Sequence, residues 1–160
     1  MSGGGTGADG SEVVVRGYRL VVDRAYDPES HLWVQRLEDG GVRVGLDPLG
    51  AEANGTLAQL SLQPPGTELR RGEPLGELEA AKFVGPIPAP VSGVVRAVNG
   101  AVLEDPGLVE RDPLGAGWLV ELTPHDLEGE SAGLRSGAEQ VVPWFASEVD
   151  EYRRMGILAG

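Results

Sequence analysis

The chain has no cysteine in its 160 residues, so it offers no disulfide framework, no thiolate nucleophile and no cysteine-ligated metal. Any redox chemistry has to arrive on an attached or bound group. Lysine is almost absent: Lys82 stands alone beside twelve arginines. A guanidinium stays charged and is a poor nucleophile, whereas an amine can lose its proton and be acylated. Were a group to be attached to a side-chain amine, one position could take it. Histidine occurs twice, as His31 and His125, and no close His/Asp/Glu grouping has metal-ligand spacing, so both are expected in structural or solvent-facing roles. There is no GxSxG elbow, no GxxxxGK phosphate loop and no believable acid/base pair, and nothing in the sequence indicates an enzyme. No apolar run approaches the roughly 18 residues that cross a bilayer, and the start lacks the basic and apolar stretches of a signal peptide. The cytoplasm is the expected location. Basic charge is scarce: 13 basic against 25 acidic residues give −12, which repels phosphate backbones and anionic membranes, so neither nucleic acid nor membrane is an expected partner.

What is abundant is glycine, 25 residues, with 12 prolines. Residues 1–12 are glycine with small and polar companions, a composition that buries too little apolar surface to offset its ordering entropy, and they are expected to form a disordered tail. The stretch Gly5-Thr6-Gly7-Ala8-Asp9-Gly10 matches the dinucleotide glycine pattern, but no strand precedes it and no apolar helix follows, so the match is read as spurious. From residue 13 onward short β-prone runs, 13–22, 32–37, 42–46, 57–62, 75–83, 91–98 and 118–122, alternate with turn signals such as Glu38-Asp39-Gly40-Gly41, Gln63-Pro64-Pro65-Gly66 and Asn99-Gly100. This spacing predicts a mainly β fold, a compact barrel or sandwich. Residues 47–54 and 105–109 predict short helical turns. After Pro124 the strand signals stop, residues 128–137 read as a polar connector, and a helix begins near Pro143. Val142, Phe145, Val149 and Tyr152 recur at helical spacing, a stripe expected to pack on its own domain. The expected organisation is thus a tail (1–12), a β domain (13–124) and a linker with a C-terminal helix (125–160). Trp33 and Trp118 are expected to fill core.

Around Lys82 a strand arrives from Leu75 and another leaves from Val91, with Gly85, Pro86, Pro88 and Pro90 between them. Proline cannot donate to a sheet ladder and glycine tolerates unusual dihedrals, so the stretch reads as a protruding turn with an exposed lysine at or beside its tip. Such an amine is open to a modifying enzyme. Composition alone favours an ordinary solvated lysine, left over in an arginine-rich chain.

The neighbouring residues carry more information. Glu79-Ala80-Ala81-Lys82, with Ala89-Pro90-Val91-Ser92-Gly93 beyond it, resembles the lipoyl attachment segment of the glycine cleavage system H protein family. Glu79, three residues before the lysine, and Gly93, eleven after it, occupy that family's motif positions. Tyr26-Asp27-Pro28-Glu29, His31-Leu32-Trp33-Val34, Val42-Arg43-Val44-Gly45-Leu46, Gly72-Glu73-Pro74-Leu75-Gly76, Leu103-Glu104-Asp105-Pro106, Asp112-Pro113 and Gly115-Ala116-Gly117-Trp118-Leu119 follow the family's order, so the likeness runs over residues 26–124. It implies a barrel-sandwich hybrid of the lipoyl-domain type, with two small packed antiparallel sheets, short helices and a C-terminal helix. It also implies lipoic acid joined by an amide to Lys82, and a monomeric carrier that is not itself an enzyme. The implied partners are glycine decarboxylase (P protein), an aminomethyltransferase (T protein), dihydrolipoyl dehydrogenase (L protein) and a lipoate-attaching enzyme, with an aminomethyl group passing between the first two on the arm. The chain departs from the family's usual residues at Leu32, Ala81, Phe83 and Gly85-Pro86. These departures leave open an H-like lipoate-binding protein of another pathway, such as sulfur oxidation, or an H-like scaffold without lipoate. Ala81 and Phe83 do not match the methionines that flank the lysine of biotin carriers.

Overall fold

The computed structural model describes residues 11–158. The expected tail and the Gly5 to Gly10 glycine pattern therefore fall mainly outside the described residues, although Glu12 belongs to the first strand. Twelve strands are described, and they form three antiparallel sheets. The run 13–22, read above as one strand, is two: β1 (Glu12–Val15) and β2 (Tyr18–Val21). Arg16 and Gly17 between them both adopt positive φ, 52° and 92°, the geometry of a tight two-residue hairpin turn. This hairpin is a sheet of its own.

The large sheet takes β3 (Ala25–Tyr26), β4 (Leu32–Arg36), β5 (Val42–Leu46), β7 (Glu68–Leu69), β10 (Gly93–Val98), β11 (Val120–Pro124) and β12 (Arg135–Ser136) in the order β12-β3-β4-β5-β11-β10-β7. A three-stranded sheet of β6 (Leu57–Leu62), β8 (Pro74–Ala80) and β9 (Val84–Pro88) packs against it, with β8 in the middle. Two packed antiparallel sheets are what the family resemblance implies, with one of them larger than expected. Three short helices sit in the connections: α1 (Pro48–Asn54), α2 (Gly100–Glu104) and α3 (Leu108–Arg111). After β11 come α4 (Leu127–Glu130), a 3-10 turn, β12 and α5 (Gly137–Arg154).

The core is double because the large sheet is covered on both faces. Along β4, Leu32 and Val34 point into a cluster shared with Leu57, Leu75, Leu78 and Ile87 of the small sheet. Trp33 between them points the other way, into a cluster with Leu20 of the hairpin and Val141, Phe145 and Val149 of α5. Strand side chains alternate faces, so a sheet buried on both sides reads as an unbroken apolar run, as Leu32-Trp33-Val34 does. Trp33 fills core as expected, and its Nε1 donates to the carbonyls of Leu46 and Pro113.

Two features differ from the sequence reading. The polar segment 128–137 contains β12, which pairs Arg135 with Tyr26 and Ser136 with Ala25, a bridge too short to show a period. The last helix starts at Gly137 rather than near Pro143, which lies inside it. Proline is favoured at the first helical position, which draws a reading from sequence toward Pro143, yet near a helix start its missing N–H costs one ladder bond. Burial of Val141 holds the turn before it in place.

Candidate functional site

Lys82 lies in the tight turn that joins β8 to β9, so its hairpin partner is not the strand near Val91. The segment with Gly85, Pro86 and Pro88, expected as a loop, is itself a strand: Val84 pairs with Glu79, Gly85 with Leu78 and Pro86 with Glu77. It sits at the edge of its sheet, where a residue without an N–H is tolerated.

The backbone of this turn is tied down from two sides. Ala80 N–H donates to Phe83 O at 2.9 Å, closing the turn, while Ala81 N–H donates to Thr56 O and Lys82 N–H to Asn54 O. The last two partners lie at the end of α1, where Gly55 adopts a φ of 79°. A Cβ at Gly55 would lie 3.2 Å from Ala81 Cβ and 3.3 Å from Lys82 Cγ, so the lysine stem rests on backbone that glycine leaves bare. The long flexible side chain thus rises from a fixed base.

The side chain is exposed, as the sequence predicts. Its Nζ donates to the carbonyl oxygen of Ile157, just past α5, at 3.1 Å. Between the turn, the end of α1 and the end of α5 lies an open groove of about 640 Å³, lined by Ala53, Asn54, Phe83, Tyr152, Met155 and Ile157 with the lysine itself. Phe83 is 44% exposed, Val84 71% and Met155 61%, an apolar surface around the amine.

Glu79 stands in β8 beside this turn with its side chain in solvent, opposite Val84 on one neighbour and Gln59 on the other. Glu77 is exposed on the same strand, so the lysine's sheet carries acid on its outer face. Gly93 lies elsewhere, in β10 between β7 and β11, pairing with Leu69 and Pro124. A Cβ there would lie 2.4 Å from Thr123 O, so a glycine is required by close strand packing.

Sequence reasoning missed a buried ionic network behind the groove. His31 is 2% exposed; its Nδ1 is 2.7 Å from Asp47 Oδ2 and its Nε2 2.8 Å from Glu148 Oε1. Asp47 is fully buried and uses its other oxygen to cap α1, accepting from Gly50 N–H at 2.8 Å. Burial by itself lowers the His31 pKa, but the charge and hydrogen bond of Asp47 and the contact with Glu148 outweigh it and raise the value to about 9. His31 thus has the structural role expected of it. Its ring stacks on Trp144 and meets the edge of Tyr152, which in turn lines the lysine groove. The partners lie 16 and 117 residues away in sequence, so no local pattern marks them. His125 pairs with Glu68 at the surface, Trp118 is half-buried under the Arg43 guanidinium, and among the described residues no group of His, Asp and Glu could hold a metal. No helix among them is long and apolar enough to cross a membrane.

Comparison with known proteins decides the relationship. The family model described as glycine cleavage H-protein matches residues 24–143, well over half of the chain. The chain belongs to the glycine cleavage H-protein family. A glycine cleavage system H protein from Mycolicibacterium vanbaalenii is 44% identical over 117 residues, which cover 73% of this chain and 88% of that one. Glycine cleavage system H protein 2 of Aquifex aeolicus is 36% identical over 126 residues, 79% of this chain and 78% of its own. In three dimensions the chain is similar to the crystal structure of a glycine cleavage system H protein from Mycobacterium marinum, with a TM-score of 0.61 and 37% identity over 66% of this chain and 86% of that one. The mainly β fold is therefore that of an H-protein. The match begins before β3 and ends inside α5, so the turn that meets Lys82 Nζ lies beyond it.

Proposed function

We propose that this H-protein is a non-catalytic carrier whose Lys82 is joined by an amide bond to lipoic acid. The observation that carries the reading is a lone lysine, exposed on a turn whose backbone is anchored on two sides, three residues after an exposed Glu79. The site suits the group: a flexible amine stem leaves a firm base beside a partly apolar groove of about 640 Å³, against which an acyl chain could lie. The group would supply a dithiolane that accepts electrons and an aminomethyl group.

The residues of this chain supply position. The ties from Ala81 and Lys82 to Thr56 and Asn54 fix where the arm starts, and the pairing of β8 with β9 holds the turn that bears it. An arm tethered in this way presents its sulfur to each partner at an effective concentration in the millimolar range, on the order expected for a short flexible tether. Glu79 and Glu77 give a lipoate-attaching enzyme an acidic face to read. The partners proposed are glycine decarboxylase, an aminomethyltransferase and dihydrolipoyl dehydrogenase, meeting in the cytoplasm around a monomeric carrier. Gly93 serves the motif indirectly, by keeping β7, β10 and β11 close enough to support the small sheet.

Intact mass and tryptic mapping of the protein from its own host test the attachment. Acylation blocks cleavage after Lys82, so a single peptide spanning residues 72–96 with the added mass is expected. Unmodified protein from lipoate-replete cells would overturn the reading. Lys82→Arg is expected to fold with an unchanged melting temperature and accept no lipoate, and unfolding instead would assign the lysine a structural duty. Aminomethyl loading by a glycine decarboxylase then tests the pathway.

A further inference from the structure

The carbonyl that meets Lys82 is placed by the end of α5. Gly156, with a φ of 74°, donates to Arg153 O, and Ile157 N–H donates to Tyr152 O at 3.0 Å, the paired bonds of a glycine-terminated helix. This turn reverses the chain and leaves the Ile157 carbonyl facing Nζ at 3.1 Å. An 18-residue helix carries partial negative charge at this end, which favours a cation. Two other cations are near in sequence, but Arg154 pairs with Glu151 and Arg153 reaches Arg16 O, which leaves the carbonyl to the ammonium. The body of α5 does not depend on the contact, because Val141, Phe145 and Val149 are fully buried and His31 holds Glu148. Only the last turn has something to gain from Lys82.

We propose that the turn 155–157 is a latch that closes on the Lys82 ammonium and loosens when acylation removes its charge, so that the end of α5 reports whether the arm is in place. The inference rests on the acylation of Lys82 proposed above. In that step the Nζ lone pair attacks an activated acyl carbon, the leaving group departs with its electron pair, and the ammonium gives up two protons to become a neutral amide N–H. One donor without charge replaces three with charge, and a neutral hydrogen bond has about half the strength of a charge-assisted one. Loosening the turn changes the wall of the groove beside Tyr152, so the loaded and unloaded carriers present different surfaces to whatever meets them.

The test is amide hydrogen exchange of the full chain, followed residue by residue in solution. Three forms are compared: the free amine, Lys82→Gln, and protein acetylated with an N-hydroxysuccinimide ester. The reagent's other target is the α-amine, so acetylated Lys82→Gln is the control. Exchange at Ile157 and Gly156 is expected to rise about two- to fivefold in both neutral forms, the size expected for loss of an exposed charged contact. Exchange at Phe145 and Val149 stays constant. Equal rates at Ile157 in all three forms, or a loss spread along the whole helix, would overturn the latch. Gly156→Ala strains the turn, since alanine is disfavoured at positive φ. It is expected to speed exchange at Ile157 in the free amine and to leave acetylation with no further effect; additive effects would also overturn the latch. Because the acetyl group is added chemically, a protein never lipoylated in its host would end the functional proposal and leave this result standing.

Discussion

At the scale of single residues, His31 and Lys82 are opposites. The exposed turn position of Lys82 is legible in the sequence because its flanking glycine and prolines are local signals. His31 is not, since its meaning comes from Asp47 at the cap of α1 and Glu148 on α5, which only the folded chain brings together. Its positive φ of 61° is likewise invisible beforehand. The network makes a pH prediction. The pKa of His31 is raised from 6.5 to about 9, so the folded protein binds this proton more tightly than the unfolded chain does. Its stabilisation is complete below pH 6.5 and is lost as pH rises through about 9. The full loss is on the order of 3 kcal/mol as an upper bound, because desolvation and relaxation reduce it. Urea unfolding at pH 6, 8 and 10 is expected to show the decline, and His31→Gln to flatten it. A His31→Gln variant with the same slope would assign the decline to other groups.

Among the elements, α5 and β9 show where sequence patterns lose their grip. The apolar stripe of α5 is readable at its C-terminal half, and Phe145 and Val149 are buried as the spacing requires. Its start is not, because Val141 is held by tertiary burial against the hairpin, and the Ser136 side chain makes no capping bond; instead Ser136 N–H donates to Gln140 Oε1. Phe145→Ala is predicted to cost about 3–5 kcal/mol, as for other large-to-small changes in a packed core. In a chain of this size that lowers the melting temperature by about 10 °C. Calorimetry checks this, and a shift below a few degrees would mean that α5 is docked far more loosely than its burial implies. β9 escapes notice for a different reason: its prolines argue against a strand, and only its place at the edge of the small sheet makes them acceptable.

For the molecule as a whole, the β class follows from strand length and turn spacing, which are properties of the entire chain, whereas the two packed sheets are expected only from the family resemblance. The doubling of the core does not follow, because Leu32-Trp33-Val34 looks the same whether one cluster or two receives it. Net charge is the other global property. With −12 on the carrier, encounters guided by complementary charge weaken in salt, since the Debye length falls from about 10 Å at 0.1 M to about 3 Å at 1 M. In a reconstituted decarboxylase assay the KM for the carrier is predicted to rise several-fold over that range while kcat changes little. A KM indifferent to salt would reduce the charge to a matter of solubility.

The prolines of β9 bear on what kind of meeting this is. An exposed strand edge invites other chains to add to it through backbone hydrogen bonds, which are strong, unselective and slow to part. Pro86 and Pro88 withhold two of the five backbone donors of the strand beside Lys82, so that border is a poor template for a visitor. Whatever docks there has to read side chains, and can let go, as brief and repeated meetings with the partners proposed above would require.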